Sequence, residues 1–376
     1  MRFCARPCLA LTVAALAARP LSAQEGRAAP ADSAGTAPQS ATPRTRGGLN
    51  FLLVVGSAPE TGIVGGVTAL RVHRSAADSA TRPSSDQIYV AYTQKHQLRA
   101  FLETDRWTAG NDWRFGGGVE FSRFPLPFFG FGMDTPEDDE EWYTPRTVSF
   151  KLNGQRQLVR GLFIGTGYRF AHTKILELEA GRALDAGGIE GIEGGDLAAA
   201  SATTIWDTRE NLFAPRRGTL AQASASVSAT AVGSDFTFTR YVLDARRYIS
   251  LGGAQVIALQ GTVEATRGSA PFDQLSLLGG PTIMRGYVRG RYRDRDLVAA
   301  QIEYRRPIIG RLGGALFAGT GAVANTFTDV RSDDLVPSYG LGLRWLLIPR
   351  ERTAIRLDYG RGRGSSGLYV GLNEAF

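Results

Sequence analysis

The sequence has few of the side chains that carry redox, metal or nucleophilic chemistry. It contains two cysteines, Cys4 and Cys8, both at the extreme N-terminus, and three isolated histidines. The 368 residues after Cys8 contain no cysteine. This absence excludes disulfide frameworks, cysteine-bound zinc, iron–sulfur clusters and thiol nucleophiles from that part of the chain. Because isolated histidines offer little to a transition metal, we expect no metal and no cofactor.

Basic runs and long apolar runs are also scarce. The net charge is only +7 over 376 residues, which makes nucleic acid a poor candidate as a partner. No segment after residue 46 is apolar for long enough to form a membrane helix. Glycine is abundant, with 46 residues, and 10% of the chain is aromatic.

The N-terminus is typical of a secretory signal peptide. A positively charged start is followed by an apolar stretch over residues 9–18 and by small residues up to Ala23. We therefore predict a signal peptide over 1–23. Residues 24–46 are rich in Ala, Pro, Ser and Thr without periodicity, which predicts a disordered linker before a single domain over 47–376.

That domain alternates apolar and polar residues in segments of about ten, the period of a β-strand with two different faces. In the clearest segment, Ala221, Ala223, Ala225 and Val227 oppose Gln222, Ser224, Ser226 and Ser228. A soluble sandwich also alternates, but the apolar faces here carry aromatic residues near segment ends, as in a membrane barrel. These aromatic residues are Trp113, Tyr241, Tyr304, Trp345 and Tyr359. The predicted fold class is all-β, a transmembrane antiparallel β-barrel.

About sixteen such segments occur, an even number, as bacterial single-chain barrels have. They lie near residues 48–56, 62–73, 87–95, 97–106, 111–123, 144–155, 159–172, 196–206, 218–231, 236–249, 254–267, 296–307, 312–324, 336–347, 352–360 and 366–376. The three longest connections, 124–143, 173–195 and 268–295, follow odd strands. They are therefore extracellular if the chain starts in the periplasm.

Three stretches resemble the BamA/TamA family of outer-membrane barrels, the bacterial surface antigen superfamily. They are GGPTIMRGYVRGRYRDRD at 279–296, WDTRENLFAPRRGT at 206–219 and the closing GLNEAF. The second is similar to a periplasmic turn motif of the family, whose residues here are Asp207, Arg209, Asn211, Pro215 and Gly218. The motifs occur in the family's order and at its strand positions, over strands eight to sixteen.

The resemblance implies a loop between strands eleven and twelve that folds into the lumen and is locked there. Its arginine is Arg285, followed by Gly286 and Tyr287, and its acidic partner is Glu303 on the lumenal face of strand twelve. The family has a second acid on strand thirteen, where this chain has Gly319.

The resemblance also implies a weak seam between the first and last strands, formed here by Phe51, Leu53, Gly371 and Phe376. Such a barrel assists protein insertion into, or translocation across, the bacterial outer membrane. The 23 linker residues are too few for the family's periplasmic POTRA domains. Expected partners are outer-membrane lipid and lipopolysaccharide, with either unfolded outer-membrane proteins or a separate periplasmic protein.

Two alternatives remain open at this point. The barrel is passive in the first, as a plugged pore or surface antigen without insertase activity. The second is an enzyme such as a phospholipase with a Ser–His pair. Nothing in the sequence indicates that a serine pairs with His73, His96 or His172, so we expect no enzymatic activity. An acidic extracellular segment either is simply solvated or bridges divalent ions to lipopolysaccharide. Its acids are Asp134, Glu137, Asp138, Asp139, Glu140 and Glu141.

Overall fold

The computed structural model describes residues 49–58, 61–73, 81–82, 84–211, 214–348 and 352–376. The predicted signal peptide and linker lie outside these residues.

Sixteen antiparallel strands form the wall, which confirms the predicted fold class. They are β1 (Leu49–Ala58), β2 (Gly62–His73), β3 (Ser84–Thr93), β4 (Leu98–Trp107), β5 (Trp113–Arg123), β6 (Glu141–Val159), β7 (Leu162–Leu178), β8 (Gly194–Asp207), β9 (Gly218–Ser228), β10 (Thr237–Gly252), β11 (Gln255–Ser269), β12 (Asp296–Ile309), β13 (Leu312–Ala324), β14 (Val336–Ile348), β15 (Thr353–Arg361) and β16 (Ser366–Leu372). Each strand from β1 to β15 pairs with the next one along the chain.

The pleat places the apolar rows outside and the polar rows inside. On β14, the outward Leu341 and Leu343 keep 56% and 43% of their surface exposed, whereas Arg344 on the same strand points inward and is buried. Burying charged side chains in the lumen requires that they pair with one another. No helix in the described ranges is long and apolar enough to cross a membrane.

The long connections after β5, β7 and β11 pack together at one end of the barrel, the end predicted to be extracellular. Phe128, Tyr143, Leu184 and Phe272 come from three different connections or their adjoining strand, and all four are buried in one cluster. A short strand, Leu126–Phe128, pairs with the start of β6. The connection between β11 and β12 contains a small hairpin, Ser276–Leu278 with Tyr292–Asp294. These loops cover the lumen at that end.

The first and last strands are the exception in the wall. Cα atoms of β1 and β16 approach within 8 Å of each other. Among the described residues, however, no hydrogen-bonded ladder joins them, whereas all other neighbouring wall strands are joined. This position is the seam. β1 has 10 residues and β16 has 7, so the two edges are unequal in length.

Candidate functional site

The loop between β11 and β12 enters the lumen, and its tip meets the inner wall at β14 to β16. Gly286 has φ +116°, and a Cβ there would lie 2.5 Å from the main-chain carbon of Arg361. Only glycine allows this approach of loop and wall. The Gly286 N–H donates to the Tyr369 hydroxyl at 3.0 Å, and that hydroxyl donates to the Tyr287 carbonyl at 3.0 Å. The loop tip is thereby attached to β16.

Tyr287 holds the other side of the tip. Its side chain is fully buried, and its hydroxyl donates to the Pro337 carbonyl at 2.8 Å. The same hydroxyl accepts the Arg363 N–H at 2.7 Å. The Ser338 hydroxyl donates to the Arg285 carbonyl. Hydroxyl and main-chain groups of three neighbouring elements therefore satisfy the loop's own polar backbone.

The Arg285 guanidinium lies at the centre of this contact and is fully buried. It donates to Glu303 on β12 and to Asp358 on β15, at 2.5 Å in each case. Its Cζ atom lies 3.5 Å from the centroid of the Phe317 ring on β13. A guanidinium that bridges two carboxylates and lies over an aromatic face combines ion pairing with a cation–π contact.

Three wall arginines share the two acids with the loop. Glu303 also accepts from Arg305 at 2.7 Å and from Arg344 at 3.2 Å. Asp358 accepts from Arg344 at 2.5 Å and from Arg356 at 3.2 Å. We call these residues, with Arg285 and Glu374, the lumen network. Because every acid in it has at least two cationic partners, the network fixes the loop's position by many directed contacts.

Residues 373–376 continue the network below β16. They turn into the lumen, where Glu374 accepts from Arg344 at 2.7 Å. Phe376 is buried against Tyr248 and Val256, and its main-chain oxygen accepts from Arg305 at 2.8 Å. Phe376 was predicted at the seam and lies instead inside the barrel, because its apolar ring finds partners on β10 and β11.

The other predicted seam residues lie on β1 and β16. Phe51 and Leu53 face outward, with 68% and 64% of their surface exposed. Gly371 is paired with Arg356 in a ladder without register shift, so the pairing of β16 with β15 continues through it without a bulge. A Cβ at Gly371 would lie 3.2 Å from the Arg356 guanidinium. Glycine at this position therefore leaves room for a lumenal arginine.

The second acid partner of Arg285 is Asp358, which the motif comparison did not single out. Gly319 occupies the family's acidic position on β13, and a Cβ there would lie 2.9 Å from the Gln301 side chain. The second carboxylate for Arg285 comes instead from Asp358 on β15, two strands further along the wall. In the sequence, Asp358 alternates with Ile355, Leu357 and Tyr359, which is typical of an inward side chain. Its contact with Arg285 depends on how far the loop reaches into the lumen, which the alternation does not predict.

The predicted turn motif forms a compact periplasmic turn between β8 and β9. Arg209 binds Asp207 in a bidentate pair, at 2.9 and 3.0 Å, and both side chains are almost fully buried. The Asn211 side chain accepts the Ala214 N–H at 2.8 Å. Pro215 is buried. Gly218 has φ +107°.

Glu210 of the same turn was not predicted as a site residue. It accepts the N–H groups of Arg216 and Arg217, at 2.9 and 3.1 Å. It also accepts from the Arg352 side chain at 2.8 Å, and Arg352 belongs to the turn between β14 and β15. Burial raises the pKa of Glu210, but these three donors outweigh it and hold that pKa below its usual value. The two periplasmic turns are thus tied together.

The histidines and the acidic segment lie apart from the lumen network. Each histidine has a nearby partner: His73 with Asp86 at 2.8 Å, His96 with Tyr92 at 2.9 Å and His172 with Asp196 at 2.6 Å. Within the described ranges, no group of three or more His, Cys, Asp or Glu side chains is placed to hold a metal ion. Glu141 is buried and accepts the Leu184 N–H at 3.1 Å, so the end of the acidic segment contributes to loop packing.

Wall, inward loop and lumen network together define a sixteen-stranded membrane barrel with a loop folded into its lumen. The Omp85 superfamily domain matches residues 82–375, and the chain belongs to that superfamily. It is thus an Omp85-type outer-membrane barrel.

Solved structures share this fold. BamA from Haemophilus ducreyi lacking POTRA domains 1–3 is 16% identical, with a TM-score of 0.62, over 88% of this chain and 70% of that chain. CdiB from Acinetobacter baumannii is 11% identical, with a TM-score of 0.56, over 86% of this chain and 59% of that chain. No curated protein sequence matches the chain.

Proposed function

We propose that the chain assists insertion of polypeptides into the bacterial outer membrane, or their translocation across it, through the seam. The observation that carries the proposal is the missing ladder between β1 and β16 in the described part of the wall. An unpaired strand edge is costly in lipid, because lipid offers no partner for its N–H and C=O groups. An incoming strand can supply that partner by β-augmentation.

The geometry of the two edges supports this use of the seam. β1 is longer than β16, and the residues after Leu372 turn into the lumen instead of continuing along β1. Part of the β1 edge therefore faces no strand of its own chain. Membership of the Omp85 superfamily supports the same function.

The partners we propose follow from the described domain, which is a barrel alone. Lipid and lipopolysaccharide contact its outer wall, and unfolded outer-membrane proteins or a separate periplasmic protein approach the seam from below. The proposed function contains no enzymatic step and needs no cofactor.

A passive plugged barrel, acting as a closed pore or surface antigen, is the second candidate. It is favoured by the buried lumen network, since pulling one partner out of a buried ion pair is costly. Planar-bilayer conductance of the purified barrel distinguishes an open pore from a plugged one.

A disulfide across the seam tests the proposal. The only native cysteines are Cys4 and Cys8, so Leu53→Cys with Leu368→Cys adds the only thiols of the barrel domain. Both side chains face outward, with 64% and 53% of their surface exposed. We expect the oxidised variant to lose function, seen as reduced outer-membrane protein levels, and the reduced variant to keep it.

The matched control locks strands that are already paired. Leu53 lies opposite Val67 on β2, so Leu53→Cys with Val67→Cys closes a bridge that changes nothing at the seam. Normal outer-membrane protein levels in cells with the seam fully cross-linked would refute the insertase role and leave the passive barrel.

A further inference from the structure

A groove of about 980 Å³ crosses the outer face of the wall from β5 to β11. Along it runs one row of cross-strand neighbours, one from each strand. The row consists of Trp113, Arg156, Ile164, Thr204, Ala223, Leu243 and Val263. All of these side chains lie on the face that the alternation assigns to lipid.

The groove exists because the middle of this face has small side chains. Ala202 and Thr204 on β8 and Ala223 and Ala225 on β9 line its floor. On β14, by contrast, the outward row carries the large residues Leu341, Leu343 and Trp345. Phe327, from the connection after β13, lines the far end. The wall is therefore locally thin between two ridges of larger side chains.

Its direction follows from the tilt of the strands. Strands about 4.8 Å apart make a row across seven strands roughly 29 Å long. With a tilt of about 40°, such a row climbs on the order of 18 Å along the membrane normal. One leaflet accounts for about 15 Å of the hydrocarbon core. The row from Trp113 to Val263 therefore rises from the periplasmic interface through approximately one leaflet, and the connection that carries Phe327 closes the groove above it.

The lower end of the groove carries a cation. Arg156 is exposed next to the short periplasmic turn after β6, and its Cζ lies 5.6 Å from the centroid of the Trp113 ring. In the part of the chain that the structure describes, Arg156 has no carboxylate within ion-pair distance. An outward arginine beside an interfacial tryptophan is suited to a lipid phosphate, which its guanidinium binds through two parallel hydrogen bonds.

We propose that this groove binds one phospholipid of the periplasmic leaflet. The phosphate pairs with Arg156, and one acyl chain lies along the floor formed by Ala202, Thr204, Ala223 and Ala225. The site lies on β5 to β11, away from the seam, so it goes beyond the proposed function and does not depend on it.

Native mass spectrometry of the purified barrel with palmitoyl-oleoyl phosphatidylglycerol tests the proposal. We expect the wild type to retain one lipid under conditions that strip the rest. Arg156→Gln should weaken that binding at least tenfold, and Ala223→Leu should abolish it by filling the floor. Adding an apolar side chain to a lipid-facing position leaves folding intact, and heat-modifiability on electrophoresis verifies this for each variant.

Two controls lie on the outer face beyond the groove. Arg306→Gln removes an exposed cation at the periplasmic end of β12, and Ala318→Leu adds the same bulk on β13. Both should retain the lipid as the wild type does. Equal retention by all four variants, or equal loss in Arg306→Gln and Arg156→Gln, would overturn the site and indicate only general lipid binding. Neither result alters the outcome of the seam cross-link.

Discussion

Replacing Arg285 with alanine should release the loop from the lumen while leaving the wall folded. The guanidinium is fully buried between Glu303 and Asp358, with both contacts at 2.5 Å, and it lies over Phe317. Alanine removes all three contacts at once. The wall strands keep their ladders, because none of them involves the Arg285 side chain.

The free energy of loop docking that Arg285→Ala removes depends on the arginine partners that Glu303 and Asp358 keep. Removing one partner of a buried ion pair costs about 3–5 kcal/mol. Glu303 and Asp358 each keep at least one other arginine, so the lower end of that range applies. The lost cation–π contact adds roughly 1 kcal/mol. A total of about 4 kcal/mol changes the ratio of docked to released loop by nearly three orders of magnitude.

Hydrogen–deuterium exchange over residues 279–295 and limited trypsin digestion measure this release. The loop contains several arginines that are buried in the docked state, such as Arg291 and Arg293, so released loops gain tryptic sites. The control is Arg363→Ala, which removes an exposed loop arginine close to the same contact. An exchange rate in Arg285→Ala within threefold of the wild type would refute the reasoning.

Three further predictions concern the same loop and the periplasmic turn. Gly286→Ala should expose the loop to trypsin, because the new Cβ would lie 2.5 Å from the main chain of Arg361; unchanged protection would show that the tip can move aside. Asp358→Asn should destabilise the loop by about 3 kcal/mol, and a double-mutant cycle with Arg285→Ala should give less than the sum of the two effects, whereas strict additivity would separate them. The pKa of Glu210 is held below its usual 4.5, so it stabilises its turn above pH 4.5 and this contribution is lost as the pH falls through the lowered value; exchange over 207–218 should accelerate there, and Glu210→Gln should remove that acid-induced change.

The wall could be predicted from the sequence because its pattern is local. Period-two alternation depends only on neighbouring residues, and all sixteen predicted segments coincide with strands. Several strand bounds differ from the predicted ones. β6 begins at Glu141 rather than 144, and β7 ends at Leu178 rather than 172. On these extensions, Tyr143 of β6 and Ile175 and Leu178 of β7 pack in one cluster with the loop residues Phe128, Leu184 and Phe272.

The contacts inside the barrel were harder to predict from the sequence than the wall. They depend on how far the loop and the C-terminal residues reach into the lumen. Asp358 has an inward side chain by alternation alone, but its contact with Arg285 joins residues 73 positions apart. Phe376 was assigned to the seam from its place at the end of the last strand. Its burial depends on Tyr248, more than 100 residues earlier in the chain. The Glu210–Arg352 tie between two turns is likewise a long-range contact, 142 positions apart.

The lumen network has a consequence for the order of assembly. All its ion pairs join residues between 285 and 374, so strands β1 to β11 contribute no charged partner to it. Contacts between nearby parts of a chain form faster than contacts between its distant ends. This favours a folding route in which β12 to β16 gather around the loop first, and the remaining strands then close around a finished interior. Joining β1 to β16, the most distant pair in sequence, is the last and slowest step of that route.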